Sequence, residues 1–438
     1  MGRAVQETSG PSPSFPLRVE FSMRIAIVGG VRTPFVKAAG VFSKYSALDL
    51  GKHVVVGCVE KLGLDPSRID ELYFGTVLLD PRIPNLAREI VLRSGLPKTV
   101  NGHFIANNCI TGLVAASAAV DAIASGRIRC ALVGGSESMS QPTLTFPRKG
   151  EQFFFKMNKS RGVRAKLSTL TKFRPGFLAP QAPSPKEPST GLTMGQHCEL
   201  MAQEFRIGRR EQDELAFASH QRAAEAQRKG ILASQILPVG DVKEDNLLRA
   251  DASLEKLSSL PAVFDRSAQG TISAGNASAL TDGASVVCLM SEEQAKAEKR
   301  EVLGYLEGIQ FASVPPGDGL LMAPALALPN LLSRFGLQFK DIDLFEVHEA
   351  FAAQVLCNLR AWRDGWSRYP DLPIRGEVPA ERMNVSGGSI ALGHPFAATG
   401  GRLLVNLCQA LRERNMKRGA ISVCAAGGGA SAALISIE

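Results

Sequence analysis

The sequence predicts an α/β fold of stacked sheets and helices, duplicated within one chain and interrupted by an insertion. Three observations carry this. Short apolar runs that stop at turn residues alternate with longer runs of helical spacing, the pattern of strands joined by helical crossovers, which implies parallel pairing. The stretch LGLDPSRIDELYFG at residues 62–75 returns as FGLQFKDIDLFEVH at residues 335–348, with Gly63 falling on Gly336 and Ile69-Asp70 on Ile342-Asp343 at one constant offset. Between the copies, residues 143–267 differ in composition from both sides. The division expected is a flexible tail over residues 1–22, a first core domain over 23–142 completed by 268–297, an inserted loop domain over 143–267, and a second core domain over 298–438.

Taken in order, Arg24-Ile25-Ala26-Ile27-Val28 is an apolar run stopped by Gly29-Gly30, a buried strand. Ser46, with Asp49 three residues on, opens a helix in the manner of a capping box; its apolar face runs Leu50, Val54, Cys58 and Leu62 before Gly63 ends it. Residues 69–75 are the next strand. The turn Asn107-Asn108-Cys109 leads into the small-residue helix LVAASAAVDAIASG, then a strand at 130–135. A helix from Ala397 and a strand at 420–424 echo that pair in the second half. There too lie a strand at 285–290, a charged helix from Glu292, and the returned repeat, closed by His348. Residues 196–229 are charged and helical, the look of scaffold.

Composition excludes several classes. With 438 residues, 45% of them hydrophobic, the chain can bury a large core. No apolar run approaches the roughly 18 residues of a membrane span. Eight cysteines without paired spacing point to reduced thiols inside a cell and to no structural zinc. A bacterial-type cytoplasm is expected, with the mitochondrial matrix as the alternative. The net charge of +8 is local: from Arg148 to Arg174 nine basic residues face one acid, Glu151. Apolar Phe153, Phe154, Phe155, Met157, Val163, Leu167 and Leu170 are interleaved among them, a basic amphipathic pattern. It reads either as a solvated excursion packed on the body or as contact with an anionic membrane surface or acyl-CoA phosphates. Nucleic acid is not expected, for want of a recognition motif.

Four side chains stand at the ends of elements: Cys109, His348, His394 and Cys424. Each alone has an ordinary reading, a buried thiol or a satisfied imidazole. A cysteine at a helix start is also drawn toward thiolate by unpaired N–H groups. Together, two thiols, two imidazoles and the glycine-rich stretches around His394 and after Cys424 are a kit for covalent acyl transfer, with backbone donors for an oxyanion.

The stretches NNCITG, GTISAGNASALTDGAS, HEAF, GGSIALGHPFAATGG and CAAGGGAS, in this order from about Met23 to Glu438, resemble the thiolase family. HEAF and the basic, proline-ended insertion look most like the degradative 3-ketoacyl-CoA thiolase (β) subunit of the trifunctional enzyme of fatty-acid β-oxidation. The resemblance implies a duplicated βαβαβ core in five layers (α-β-α-β-α), a homodimer or dimer of dimers, and a hydratase/dehydrogenase α-subunit as partner. Coenzyme A would be co-substrate, with no permanently bound cofactor and no metal. By motif position, Cys109 would be the nucleophile and Cys424 the acid and base. His394 would activate Cys109 and polarise the thioester oxygen, and His348 would complete that oxyanion hole. A second hole would use the N–H groups of Cys109 and Ala426. Ser278 would touch the pantetheine and Met194 lie near the acyl pocket. Ile110-Thr111-Gly112-Leu113 and Ala425-Ala426 depart from the commonest family wording and leave chain length open. An acetoacetyl-CoA thiolase acting in condensation and a silent CoA- or lipid-binding relative are the alternatives.

Overall fold

The computed structural model describes residues 24–438; the tail expected over residues 1–22 lies outside them. The first half runs β1 (Ile25–Arg32), β2 (Val36–Lys37), α1 (Ala47–Lys61), β3 (Glu71–Gly75), α2 (Leu86–Arg93), β4 (Asn101–Ile105), α3 (Thr111–Ala124) and β5 (Cys130–Glu137). The chain then leaves the sheet for α4 (Arg148–Lys159), α5 (Val163–Leu170), α6 (Met194–Glu204), α7 (Arg209–Arg228) and α8 (Leu254–Ser258). It returns as β6 (Thr281–Ser291), followed by α9 (Glu292–Ala297). The second half is β7 (Gly304–Ser313), α10 (Pro316–Gly319), α11 (Pro324–Arg334), β8 (Leu344–Val347), α12 (Ala352–Asp364), α13 (Ser389–Leu392), α14 (Thr399–Glu413), β9 (Arg418–Ala425) and β10 (Gly429–Ser436).

Strand order is β4-β3-β5-β6-β1-β7-β10-β9-β8, so the halves mirror each other about the β1–β7 seam. The repeat is visible at single side chains. Asp70 Oδ2 accepts the N–H groups of Arg129 and Cys130 at 2.8 and 3.0 Å, and Asp343 Oδ2 accepts those of Lys417 and Arg418 at 3.0 and 2.9 Å. Each aspartate thereby pins the start of the strand beside its own. Three apolar clusters make five layers. One packs α1 and α2 against the first half's strands, and another packs α11 and α12 against the second half's. The third lies between, where α3 and α14 meet strands of both halves. Those two helices cross closely because Gly112 and Gly400 carry no side chain: a Cβ on Gly112 would stand 2.9 Å from the Ala397 carbonyl oxygen.

The sheet is mixed, which corrects the expectation of parallel pairing. Only β3–β4, β3–β5 and β8–β9 are parallel. A three-residue link joins β9 to β10 and leaves room only for a hairpin, while β6 re-enters after a long excursion rather than a single helix. A second correction concerns β1, which continues through Gly29-Gly30 to Arg32 with a bulge after Ile27. There the glycines keep the strand bare: a Cβ on Gly30 would stand 2.7 Å from the Val286 oxygen and 2.8 Å from Val405 of α14. Ser46 and Asp49 do form the capping box on α1. The basic hairpin α4–α5 folds chiefly on itself, Phe153 packing on Phe154, Phe173 and Phe177, instead of laying its apolar side on the body. Phe155 and Val163 remain 71% and 75% exposed, so that side is left uncovered. Among the described residues no helix is long and apolar enough to cross a membrane.

Candidate active site

Cys109 sits two residues before α3, on a turn clamped from both sides. Asn108 adopts the left-handed region at φ 47° and sends its amide to the Ala426 carbonyl at 3.0 Å, tying the first half to the second. Thr111 Oγ1 accepts the Asn107 N–H at 2.8 Å and donates to the Asn108 carbonyl at 2.7 Å. The residue as a whole is half-buried. Burial of the sulfur is nonetheless the largest influence and pushes the thiol up to about 12. The Ala426 N–H and its own N–H act on it in the opposite sense, Glu137 in the same one. The helix-start argument for a resting thiolate is therefore overruled: the end of α3 is partial charge, and desolvation of a full anion is larger.

Cys424 lies near the end of β9, 1% exposed, and burial together with the nearby Cys109 holds its thiol well above the usual range. The turn that follows places the Ala426 N–H against Cys109 and the Gly427 N–H on Glu187 of the insertion, at 3.0 Å. His348 follows β8 directly, and His394 follows Gly393, whose φ of 97° suits glycine. Their ring centroids are 4.0 Å apart. His348 Nδ1 meets Ser389 Oγ at 2.9 Å and His394 Nδ1 meets Thr399 Oγ1 at 2.6 Å, while both Nε2 atoms are buried without a partner among the described residues. His394 thus makes no hydrogen bond to Cys109 at rest. Burial, then Arg402, depresses His394 to about 3; burial, His394 and Arg402 depress His348.

Both thiols and both imidazoles are therefore uncharged at rest. A depressed imidazole stays unprotonated as pH falls through its ordinary 6.5 and charges only near the lowered value. In a 15N-histidine spectrum, His394 is expected to show no protonation shift from about pH 8 to about pH 5. A midpoint near the ordinary value would contradict the burial described here.

Ser278 is placed beside the His348 loop, its N–H donating to the Ala350 carbonyl at 2.9 Å. Met194 opens α6 and packs on the apolar cluster that contains Cys424. Sequence reasoning missed Asn108, Ser389, Thr399 and Arg402, ordinary polar residues whose roles appear only when the halves close. Asn108 alone carried a signal, being an asparagine in the turn before the thiol. Among the described residues no cluster of histidine, cysteine or acidic side chains is arranged to hold a metal.

Comparison with known proteins places the whole described fold in one family. Residues 25–293 match the family described as thiolase, N-terminal domain, and residues 300–437 match thiolase, C-terminal domain. A 3-ketoacyl-CoA thiolase of Yersinia enterocolitica is 38% identical over 436 residues, covering 98% of this chain and 100% of its own length. One from Pseudoalteromonas translucida is 39% identical over 414 residues, 92% of this chain and 95% of its own. The human mitochondrial 3-ketoacyl-CoA thiolase crystallised with CoA superposes with a TM-score of 0.81 at 28% identity, over 95% of this chain and 98% of that one. The Acat5 thiolase of Ascaris suum in complex with coenzyme A gives 0.80 at 29%, over 95% and 100%. With both family domains matched in sequence, and Cys109 of the first half brought close to Cys424 of the second, the chain belongs to the thiolase family.

Proposed function

We propose that this thiolase cleaves 3-ketoacyl-CoA esters with CoA as co-substrate, releasing acetyl-CoA and a shortened acyl-CoA. The observation that carries the reading is the convergence on Cys109: two backbone N–H groups act on its sulfur, and Cys424 lies close to it. As substrate displaces the resting contacts, the Cys109 proton passes to His394 Nε2 and the sulfur attacks C3. The C2–C3 bond breaks, its electrons form the acetyl-CoA enolate, and the Cys424 thiol protonates it at C2. Cys424, now thiolate, takes the proton of incoming CoA, whose sulfur displaces the acyl group from Cys109, and His394 returns its proton to the departing Cys109 thiolate. His348 and His394 serve one oxyanion, the N–H groups of Cys109 and Ala426 the other. Ser278 contacts the pantetheine and Met194 borders the acyl chain.

A steady-state thiolysis series over 3-ketoacyl-CoA chain lengths tests this. Medium and long chains are expected to be cleaved with kcat/KM at least about tenfold above acetoacetyl-CoA, a difference of about 1.4 kcal/mol. Activity confined to acetoacetyl-CoA would move the enzyme to the condensing class.

A β-subunit of the trifunctional type is the finer assignment, with a homodimeric core in a bacterial-type cytoplasm and a hydratase/dehydrogenase partner. It is supported by HEAF at 348–351 and by the exposed α4–α5 hairpin, whose nine basic side chains surround uncovered Phe155, Val163, Leu167 and Leu170. That face suits an anionic bilayer. In flotation assays the enzyme should rise with phosphatidylglycerol-containing vesicles and not with phosphatidylcholine alone. Replacing the nine cations by glutamine should abolish flotation, and no change on replacement would remove the membrane assignment.

A further inference from the structure

Two imidazoles with unpartnered Nε2 atoms lie side by side, and the reaction asks opposite things of them. One must give a hydrogen bond to an oxyanion; the other must take a proton from Cys109. Which nitrogen carries the hydrogen is decided on the far side of each ring, at Nδ1.

For His348 the deciding neighbour is Ser389. Its Oγ lies 2.9 Å from His348 Nδ1 and 2.9 Å from Arg402 Nη2, and among the described residues no other hydrogen-bond partner reaches it. A guanidinium only donates, so Arg402 occupies a lone pair of Ser389. The single hydroxyl hydrogen then has one acceptor in range, His348 Nδ1. A ring that accepts at Nδ1 carries its hydrogen at Nε2. For His394 the deciding neighbour is Thr399, which has a second acceptor in the Pro395 carbonyl at 3.4 Å. Thr399 can give its hydrogen to that carbonyl and accept from His394 Nδ1–H, which leaves a basic lone pair at His394 Nε2.

We infer that Ser389 and Arg402 are positioning residues that fix His348 as the Nε2–H donor to the substrate oxyanion, while Thr399 and Pro395 leave the neighbouring His394 as the base. The surroundings favour this assignment. Ser389 is fully buried, Arg402 is 1% exposed, and among the described residues the Nε and Nη1 atoms of Arg402 have no partner, so there the guanidinium is spent on Ser389 alone. The two acids near it do not compete for Ser389. Glu349 is held by Ser219, Asn384 and the Ile390 N–H, and Glu346, raised to about 8 chiefly by burial, leaves Oε2 unpartnered. Arg402 thus stands as a buried cation behind the donor, where it polarises Ser389 toward His348 and disfavours a second positive charge on either ring.

The inference rests on His348 serving the oxyanion, and the experiment separates the two. Uniform 15N-histidine labelling gives six residues to resolve, assigned with His348→Asn and His394→Asn. In the unmodified enzyme, His348 should show a pyrrole-type Nε2 bearing hydrogen and a pyridine-type Nδ1, and His394 the reverse. Ser389→Ala should give a mixed tautomer at His348 and lower kcat by about 10- to 100-fold, with KM within about threefold. Ser389→Thr, which keeps the hydroxyl, should restore both the tautomer and most of kcat. Hydrogen on Nδ1 of His348 in the unmodified enzyme would overturn the inference, and that measurement needs no variant to fold. So would a Ser389→Ala enzyme of unchanged kcat. Unchanged kcat in His348→Ala, which removes the donor, would instead overturn the role of His348 itself.

Discussion

Cys109→Ala should lower kcat/KM for CoA-dependent cleavage of a 3-ketoacyl-CoA by at least about 10⁴-fold, a loss of about 5 kcal/mol of transition-state stabilisation. The magnitude follows from the chemistry removed. Without the sulfur no acyl-enzyme forms, and the remaining donors can only hold substrate. The fold should survive, because the side chain is small and half-buried, and Asn108 and Thr111 clamp the turn through groups the substitution leaves in place. An unchanged thermal transition with intact cleavage would exclude Cys109 as the nucleophile.

Cys424→Ala should be nearly as severe, lowering thiolysis by about 10²- to 10⁴-fold, as expected for the loss of a positioned acid and base. It should also separate the two thiols. Exchange of the acetyl-CoA C2 hydrogens with deuterated solvent should disappear, because Cys424 is the proposed acid and base at that carbon, whereas Cys109 should still be alkylated by iodoacetamide. Loss of alkylation with exchange retained would reverse the two roles. Cys424 is fully enclosed between β9 and the apolar cluster behind it, so alanine leaves a small cavity and a modest loss of stability.

Much of this architecture was legible in the residues. Gly63 and Gly336, and Asp70 and Asp343, announced the duplication, because the same turn and the same strand-start cap need the same residue types in both copies. Ser46 and Asp49 announced α1. The ends of β8 and β9 were marked by the histidine and the glycine-rich turn that follow them, whereas β5 runs on through Gly134-Gly135 to Glu137. Strand direction was less legible, since antiparallel β6 and β10 carry the same apolar composition as a parallel strand buried on both faces. Gly29 and Gly30 misled for a similar reason, a stop in one context and in another a close approach, to Leu62 at Gly29 and to α14 at Gly30. In the site, Cys109 and the two histidines stood out by type and place, but the protonation of the thiol did not. It depends on how completely the second half covers the first, and one chain segment cannot report that. Ser389, Thr399 and Arg402 carried no signal of their own: a serine in a glycine-rich stretch and an arginine on a helix acquire meaning only by proximity.

The seam at β1 and β7 bears on how such a molecule diverges. Two copies of one unit, set face to face by a common sheet and by α3 against α14, begin with two equivalent positions ahead of their central helices. In the first copy that position is Cys109. In the second, by the register of Thr111 on Thr399, it is Ala397, whose carbonyl rests against Gly112 and Gly135. Fusion into a single polypeptide frees the copies to change independently. One copy holds a cysteine there, while its twin gives that place to packing and contributes His348, His394 and Cys424. A symmetric frame has thereby acquired a handed interior, which a pair of identical subunits could not encode.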